Sequence, residues 1–144
     1  HPIGVGSNSV VKFLDYSNID FKLKPHAGRW EGGALNVPGI TAFGGSLELL
    51  LNAGIGNVES RVVGLTDYLC DNALSLGLEV FSSRAAGEKS GIVSLIKPGA
   101  SPDDIVKRCR AAGVIVNNRA GRVRVSPHAY NTEAELDLFL DVVR

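Results

Sequence analysis

A repeating pattern of apolar residues predicts a long helix in the middle of the chain. Between positions 57 and 76, apolar residues recur at three- and four-residue spacing, and they are Val62, Leu65, Leu69, Ala73 and Leu76. This spacing places them on one side of a helix, with polar residues opposite. Gly77 then ends the helix. A shorter leucine-rich helix is predicted over 41–53, before Gly54.

From residue 78 onwards, short apolar stretches alternate with helical ones. Strands are predicted over 78–83, 91–97, 114–116 and 122–126. Ser101 and Pro102 predict the start of a helix that runs to Gly113. Thr132 and Glu135 fit a capping box at the start of the last helix. The order predicts a small α+β domain, in which helices cover one side of an antiparallel or mixed sheet.

The first forty residues lack this regularity. They are rich in glycine and proline, most clearly in GRWEGGALNVPGI at 28–40. A segment this long with little periodicity rarely builds its own core, so we expect an irregular strap that lies on another body. The predicted organisation is therefore a strap and linking helix over 1–56, followed by a C-terminal α+β domain over 57–144.

Composition narrows the classes of function. Fifteen basic and fifteen acidic residues give zero net charge, so neither nucleic acid nor a membrane is expected as a partner. Cys70 and Cys109 fall within predicted helices, which favours buried thiols in a reducing, cytoplasmic protein. His26 and His128 have no partner at ligand spacing, so no metal site is predicted. Because the chain begins at His1 and has no Met, we expect a piece of a longer protein.

An arginine-rich strand is a candidate anion site. Alternation in RVRVS places its two valines on one face of the strand and Arg122 and Arg124 on the other. Arg119 lies just before this strand. A guanidinium is a planar fork of donors that suits a carboxylate. A solvated sheet face with surface arginines fits the same pattern.

Two stretches of the sequence resemble motifs of the class V aminotransferases, which include cysteine desulfurases, isopenicillin-N-epimerase-like proteins and kynureninases. GRWEGGALNVPGI, with the leucine-rich segment after it, resembles R-[FY]-E-x-G-T-x-N-x-x-G, which follows the cofactor lysine in that family. GRVRVSPHAYNTEAELDLFL resembles the closing motif R-[VA]-S-x-x-x-Y-N-T-x-x-E-[IVL]-D. The resemblance covers nearly the whole chain. It implies part of a pyridoxal-phosphate (PLP) enzyme that acts on an amino acid.

The resemblance also implies a substrate site. Arg124 matches the family arginine that clamps the substrate α-carboxylate. Arg119, with Gly121, matches a second arginine in an R-x-G turn that faces the site. Asn8 or Ser9 falls in the segment that lines the substrate pocket.

A cofactor contact is implied for the glycine-rich strap. Gly33 and Ala34 match a glycine-threonine pair that reaches into the neighbouring subunit of a homodimer and touches the cofactor phosphate. Ala34 lacks the threonine hydroxyl, so backbone N–H groups would have to make the contact.

Two family features are not matched. The Schiff-base lysine belongs to a Ser/His-Lys motif that none of the six lysines fits, so this chain alone is expected to be inactive as a PLP catalyst. Desulfurases carry a nucleophilic cysteine after the R-x-G arginine, whereas residues 120–123 contain no thiol. We therefore expect transamination, epimerisation or a lyase reaction in preference to desulfuration.

The alternative is a free-standing α+β module that binds a small ligand or a partner protein. Such a module would not need some forty irregular residues ahead of its core, which favours the enzyme.

Overall fold

The structure is a computed structural model that describes residues 4–18 and 20–144. The chain forms two compact units, His1–Leu49 and Leu50–Arg144. The predicted boundary lies between residues 56 and 57 instead. It separates the residues expected to accompany a cofactor-binding part of the enzyme from the C-terminal domain, and it stays a prediction.

The strap, which the structure describes over residues 4–18 and 20–36, is irregular as predicted. Its described residues form two short 3₁₀ turns, Ser7–Ser9 and Ala27–Trp30. A single antiparallel bridge joins Val10 to Leu23. Gly6 lies so close to a neighbouring loop that a Cβ added to it would be 1.9 Å from the Gly32 carbonyl oxygen. The two glycine-rich stretches can therefore approach each other only because Gly6 has no side chain.

Helix α1, Val37–Ala53, begins four residues before the predicted start. The Asn36 side-chain oxygen accepts a hydrogen bond from the Gly39 N–H at 3.1 Å, and Pro38 occupies the first turn. Proline is accepted there because that N–H has no partner within the helix. The sequence NVPG, interpreted above as loop, is therefore a helix start. The helix buries none of its residues within the described chain.

The second unit has the predicted order of helices and strands. Its elements are α2 (Ile55–Ser75), β1 (Glu79–Val80), β2 (Val93–Ile96), α3 (Pro102–Ala111), β3 (Asn117–Arg119), β4 (Arg122–Val125) and α4 (Glu133–Val143). The strands form one antiparallel sheet in the order β1-β2-β4-β3. This confirms the predicted α+β class.

The third strand lies three residues later than predicted. The Val114 N–H donates to the Cys109 carbonyl at 2.8 Å and so completes the end of α3. Val116 is buried in the core, and pairing with β4 begins only at Asn117. The apolar run 114–116 therefore connects α3 to β3 and contributes Val116 to the core. The polar residues 117–119 that follow it form the hydrogen-bonded ladder with β4.

One face of the sheet forms the core. Val93 and Leu95 of β2 and Val123 and Val125 of β4 are buried there with residues of α2, α3 and α4. The predicted apolar stripe of the last helix is confirmed, because Leu136, Phe139, Leu140 and Val143 are all buried. Its capping box is confirmed as well, with Thr132 and Glu135 bonded reciprocally.

A salt bridge between α2 and α4 predicts an acid-sensitive stability. The Arg61 guanidinium, hydrogen-bonded to Glu133 at 2.6 Å, lowers the pKa of that carboxyl from 4.5 to about 2. A lowered folded-state pKa stabilises the fold above pH 4.5, and this contribution is lost as the pH falls towards 2. We expect the free energy of unfolding of Glu133→Gln to fall less between pH 6 and pH 3 than that of the wild type, as measured by urea denaturation.

The matched control for this measurement is Glu59→Gln. Glu59 is an exposed residue of α2 that forms no ion pair within the described part of the chain. Equal pH dependence in the wild type and Glu133→Gln would show that the pair does not stabilise the fold.

Candidate substrate and cofactor site

Arg124 lies in the middle of the sheet, on the face that the helices of this unit do not cover. It is paired with Ser94 on β2 and with Asn117 on β3. The alternate residues Val123 and Val125 point into the core, so Arg124 points to the open face. Arg124 is half-buried, and within residues 4–18 and 20–144 its Nε is buried without a hydrogen-bond partner. A half-buried guanidinium with a donor that lacks a partner is suited to bind the carboxylate of a ligand.

Arg122 occupies the same face but is already engaged. Its guanidinium carbon lies 3.5 Å from the centre of the Phe81 ring, a cation–π contact. Phe81 continues β1, because its N–H donates to the Ser94 carbonyl at 2.9 Å. Phe81 therefore lies in the same cross-strand row as Arg124. The sequence pattern gave no indication of this contact, since it depends on which strands pair.

Arg119 ends β3 directly opposite Arg122. The two residues between them, Ala120 and Gly121, have φ values of 50° and 74°. Positive φ at both central residues defines a type I′ hairpin turn. The R-x-G segment thus forms a tight turn, and Arg119 is on the open face as a diagonal neighbour of Arg124, with Cα atoms about 7–8 Å apart in such pairs.

Asn8, Gly33 and Ala34 belong to the first unit. The Asn8 side-chain N–H donates to the Gly33 carbonyl at 3.1 Å, so two of the three predicted residues are in contact. Asn8 therefore holds the glycine-rich loop with one of its two side-chain N–H groups, and its predicted contact with a ligand stays a prediction. The backbone N–H groups of Gly33 and Ala34 bond to no other described residue, and nothing lies within 4 Å of a Cβ added to Gly33. Backbone N–H groups without a partner are the kind of donors that phosphate oxygens accept from, and the cofactor contact of Gly33 and Ala34 stays a prediction.

Four lysine side chains make contacts with described residues. Lys89 is 2.8 Å from Asp67, and Lys97 donates to the Leu76 carbonyl at 3.1 Å. Lys24 lies over the Phe13 ring at 4.7 Å. Lys107 lies 3.7 Å from Asp104. Each of these four amino groups therefore contacts a residue of its own unit.

Both thiols are buried, as predicted. Cys70 lies in α2 and Cys109 in α3, and burial raises the pKa of each. Neither is suited to act as an exposed nucleophile.

The clefts of the two units do not coincide with the predicted residues. In the second unit, a cleft of about 370 Å³ beside the start of α4 is lined by Ser126, Tyr130 and Leu138, among others. In the first unit, a cleft of about 320 Å³ is lined by Phe13 and Tyr16, among others. The open sheet face with Arg119 and Arg124 is a surface, and it needs a second body to become a pocket.

Comparison with known proteins identifies the family. The family model of the class V aminotransferases matches residues 1–139. A probable cysteine desulfurase of Methanothermobacter thermautotrophicus is 26% identical over 155 positions, which cover 95% of this chain and 38% of that protein. A probable cysteine desulfurase 1 of Mycobacterium leprae is 27% identical and covers 81% of this chain and 21% of its own length.

The fold is similar to that of a solved structure. The apo structure of a cysteine desulfurase from Thermococcus onnurineus superposes with a TM-score of 0.77 at 22% identity, over 99% of this chain and 38% of that one. This chain therefore spans about two fifths or less of the proteins that it matches.

These relatives change the expected reaction. The thiol-free turn favoured other reactions over desulfuration, but two curated relatives are named as probable cysteine desulfurases. The names of these relatives favour the desulfurase subtype, in contrast to the ranking based on the thiol-free turn. The absence of cysteine from 120–123 excludes one position for a sulfur-accepting thiol and does not exclude the reaction. Because the family model extends over residues 1–139, the irregular strap included, the chain belongs to the class V aminotransferases, a family of PLP-dependent enzymes.

Proposed function

We propose that this chain forms the substrate-carboxylate-binding part of a PLP-dependent enzyme that desulfurates cysteine. The observation that carries the proposal is the half-buried Arg124, whose Nε has no partner in the described part of the chain. A buried donor without an acceptor costs free energy until a ligand supplies one. The carboxylate of an amino acid supplies two oxygens that match the guanidinium fork.

The electrostatics of the open face support an anionic ligand. Arg119, Arg122 and Arg124 lie within six positions on one face, and no carboxylate of the described residues forms an ion pair with them. Like charges this close repel each other, so the arrangement is most stable when an anion lies between them. Arg119 and Arg124 are available for this role, since Arg122 is held against Phe81.

The cofactor would be held partly by the strap. The backbone N–H groups of Gly33 and Ala34 would donate to the phosphate oxygens, and in a homodimer they would do so for the neighbouring subunit. When bound, PLP acts as the electron sink for bond cleavage at the amino acid. The function of this chain's own residues is to bind and orient the substrate carboxylate, which fixes the bond that is to break.

The sulfur acceptor is proposed to lie outside this chain. Cys70 and Cys109 are its only cysteines, and both are buried with a raised pKa. A thiol outside these 144 residues would therefore take the sulfur from the substrate. Free, buried thiols also suit the reducing cytoplasm, which we propose as the location.

The enzyme is favoured over a free-standing module because the family match includes the irregular residues at the start of the chain.

No helix in residues 4–18 and 20–144 has the length and apolar character that a bilayer crossing requires.

The proposal is tested on the natural gene product that contains these residues. We expect the purified protein to show the visible absorbance of bound PLP and, with L-cysteine and a reducing thiol, to release sulfide and alanine. L-Alanine as substrate serves as the control, since it carries the same carboxylate and no sulfur. A protein that holds PLP but releases no sulfide would refute the reaction, and one that binds no PLP would refute the enzyme.

A further inference from the structure

Asn118 anchors the turn that carries Arg119. Its partner across the sheet is Val123, which is buried on the helix side, so Asn118 lies on the face opposite Arg119. Its side-chain N–H donates to the Asp103 carboxylate at 2.8 Å, and its oxygen accepts from the Gly121 N–H at 3.1 Å. Asp103 lies in the first turn of α3. One amide therefore joins the hairpin turn to the start of a helix.

The turn needs such an anchor for two reasons. Ala120 has a φ of 50°, in the left-handed region that side chains other than glycine rarely adopt, and the surroundings must hold it there. In addition, the like-charged Arg119 and Arg122 face each other directly across the hairpin. Such pairs destabilise an antiparallel ladder. Both effects tend to open the hairpin at the position of Arg119.

We propose that Asn118 is a positioning residue, which holds the guanidinium of Arg119 on the open face beside Arg124. This inference rests on the proposed function, in which Arg119 binds the amino-acid substrate. Arg119 is itself exposed, so its direction depends on the turn that carries it. Asn118 acts from the helix side and does not touch the substrate.

The side chain must be an amide for this role. It donates to Asp103 and accepts from Gly121, so both halves of the amide are used and its orientation is fixed. Asn118→Asp keeps the acceptor but sets a carboxylate against that of Asp103. The double variant N118D/D103N exchanges the two groups, so that the amide at 103 can donate to the carboxylate at 118. It should restore the anchor that either single change weakens.

The first measurement uses the full 144-residue chain without cofactor. Amide hydrogen exchange of Gly121, followed by NMR, should be about 3- to 10-fold faster in Asn118→Ala and in Asn118→Asp, and it should return to the wild-type rate in N118D/D103N. Asp104→Ala is the matched control, since Asp104 is the next residue in the same helical turn and contacts Lys107 instead. Unchanged exchange at Gly121 in Asn118→Ala would refute the anchor.

The second measurement uses the natural gene product with L-cysteine. We expect Asn118→Ala to raise KM by about 3- to 10-fold with kcat little changed, and to raise it no further when Arg119→Ala is already present. A residue that only stabilised the fold would act equally in both backgrounds. Additive effects, or an unchanged KM in Asn118→Ala where Arg119→Ala raises it, would overturn the positioning role. An unchanged KM in Arg119→Ala would refute the substrate-binding role of Arg119 in the proposed function.

Discussion

Replacing Arg124 by alanine is expected to reduce kcat/KM for L-cysteine by about 30- to 4,000-fold, which corresponds to about 2–5 kcal/mol of lost transition-state stabilisation. The size of the effect follows from burial. Arg124 is half-buried between Ser94 and Asn117, and its Nε has no other acceptor in the described residues. A charge pair that excludes water is stronger than an exposed one, and removal of one partner leaves the other without compensation. Steady-state kinetics of the natural gene product measures the loss.

Two further variants separate the carboxylate clamp from a loss of structure. Arg124→Lys keeps the charge but not the fork, so it should recover only part of the activity. Arg110→Ala removes an exposed arginine at the end of α3 and should leave kcat/KM unchanged. If Arg124→Ala kept the wild-type kcat/KM, the carboxylate would be bound elsewhere.

The parts of the fold that local signals determine could be predicted from the sequence. The last helix is the clearest case, because Thr132 and Glu135 satisfy each other's backbone groups at its start. The arginine strand is another case. Its strict alternation already separates Val123 and Val125 from Arg122 and Arg124, and the structure keeps that separation.

The parts that depend on pairing could not be predicted. An apolar run such as 114–116 has the same composition whether it joins a ladder or packs beneath one. The type I′ turn at Ala120 and Gly121 fixes the register in which residues 117–119 pair with β4. The run before them closes the end of α3 through the Val114 N–H and contributes Val116 to the core. A two-residue turn with alanine at its first position is an unusual signal for such a hairpin.

In the candidate site, too, some features could be predicted from the sequence and others could not. The sequence identified Arg119 and Arg124 as residues of one strand and the turn before it, and the structure brings them to one face. It gave no sign that Phe81 would hold Arg122 or that Asp103 would hold Asn118, since both contacts join residues that are distant in the chain. Contacts of this kind decide which arginine is free for a ligand.

The largest expected effect on stability is that of Phe139→Ala, which should lower the free energy of unfolding by about 3–5 kcal/mol. Phe139 is 1% exposed and is the largest fully buried side chain of the core. It lies on the buried stripe of α4, where the helix packs with the sheet and the other helices of its unit. Removing the ring loses its apolar contacts and leaves a cavity that the surrounding core cannot fill completely.

The neighbouring residue provides the control. Leu138 is 56% exposed on the same helix, so Leu138→Ala removes an apolar side chain of the same helical turn without opening the core. Surface substitutions of this kind change stability by no more than about 0.5 kcal/mol. Urea denaturation of the full chain should therefore separate the two variants by several kcal/mol. Equal losses would mean that α4 does not pack on the sheet through Phe139, and the open face would then lack the rigid support on which the placement of Arg124 depends.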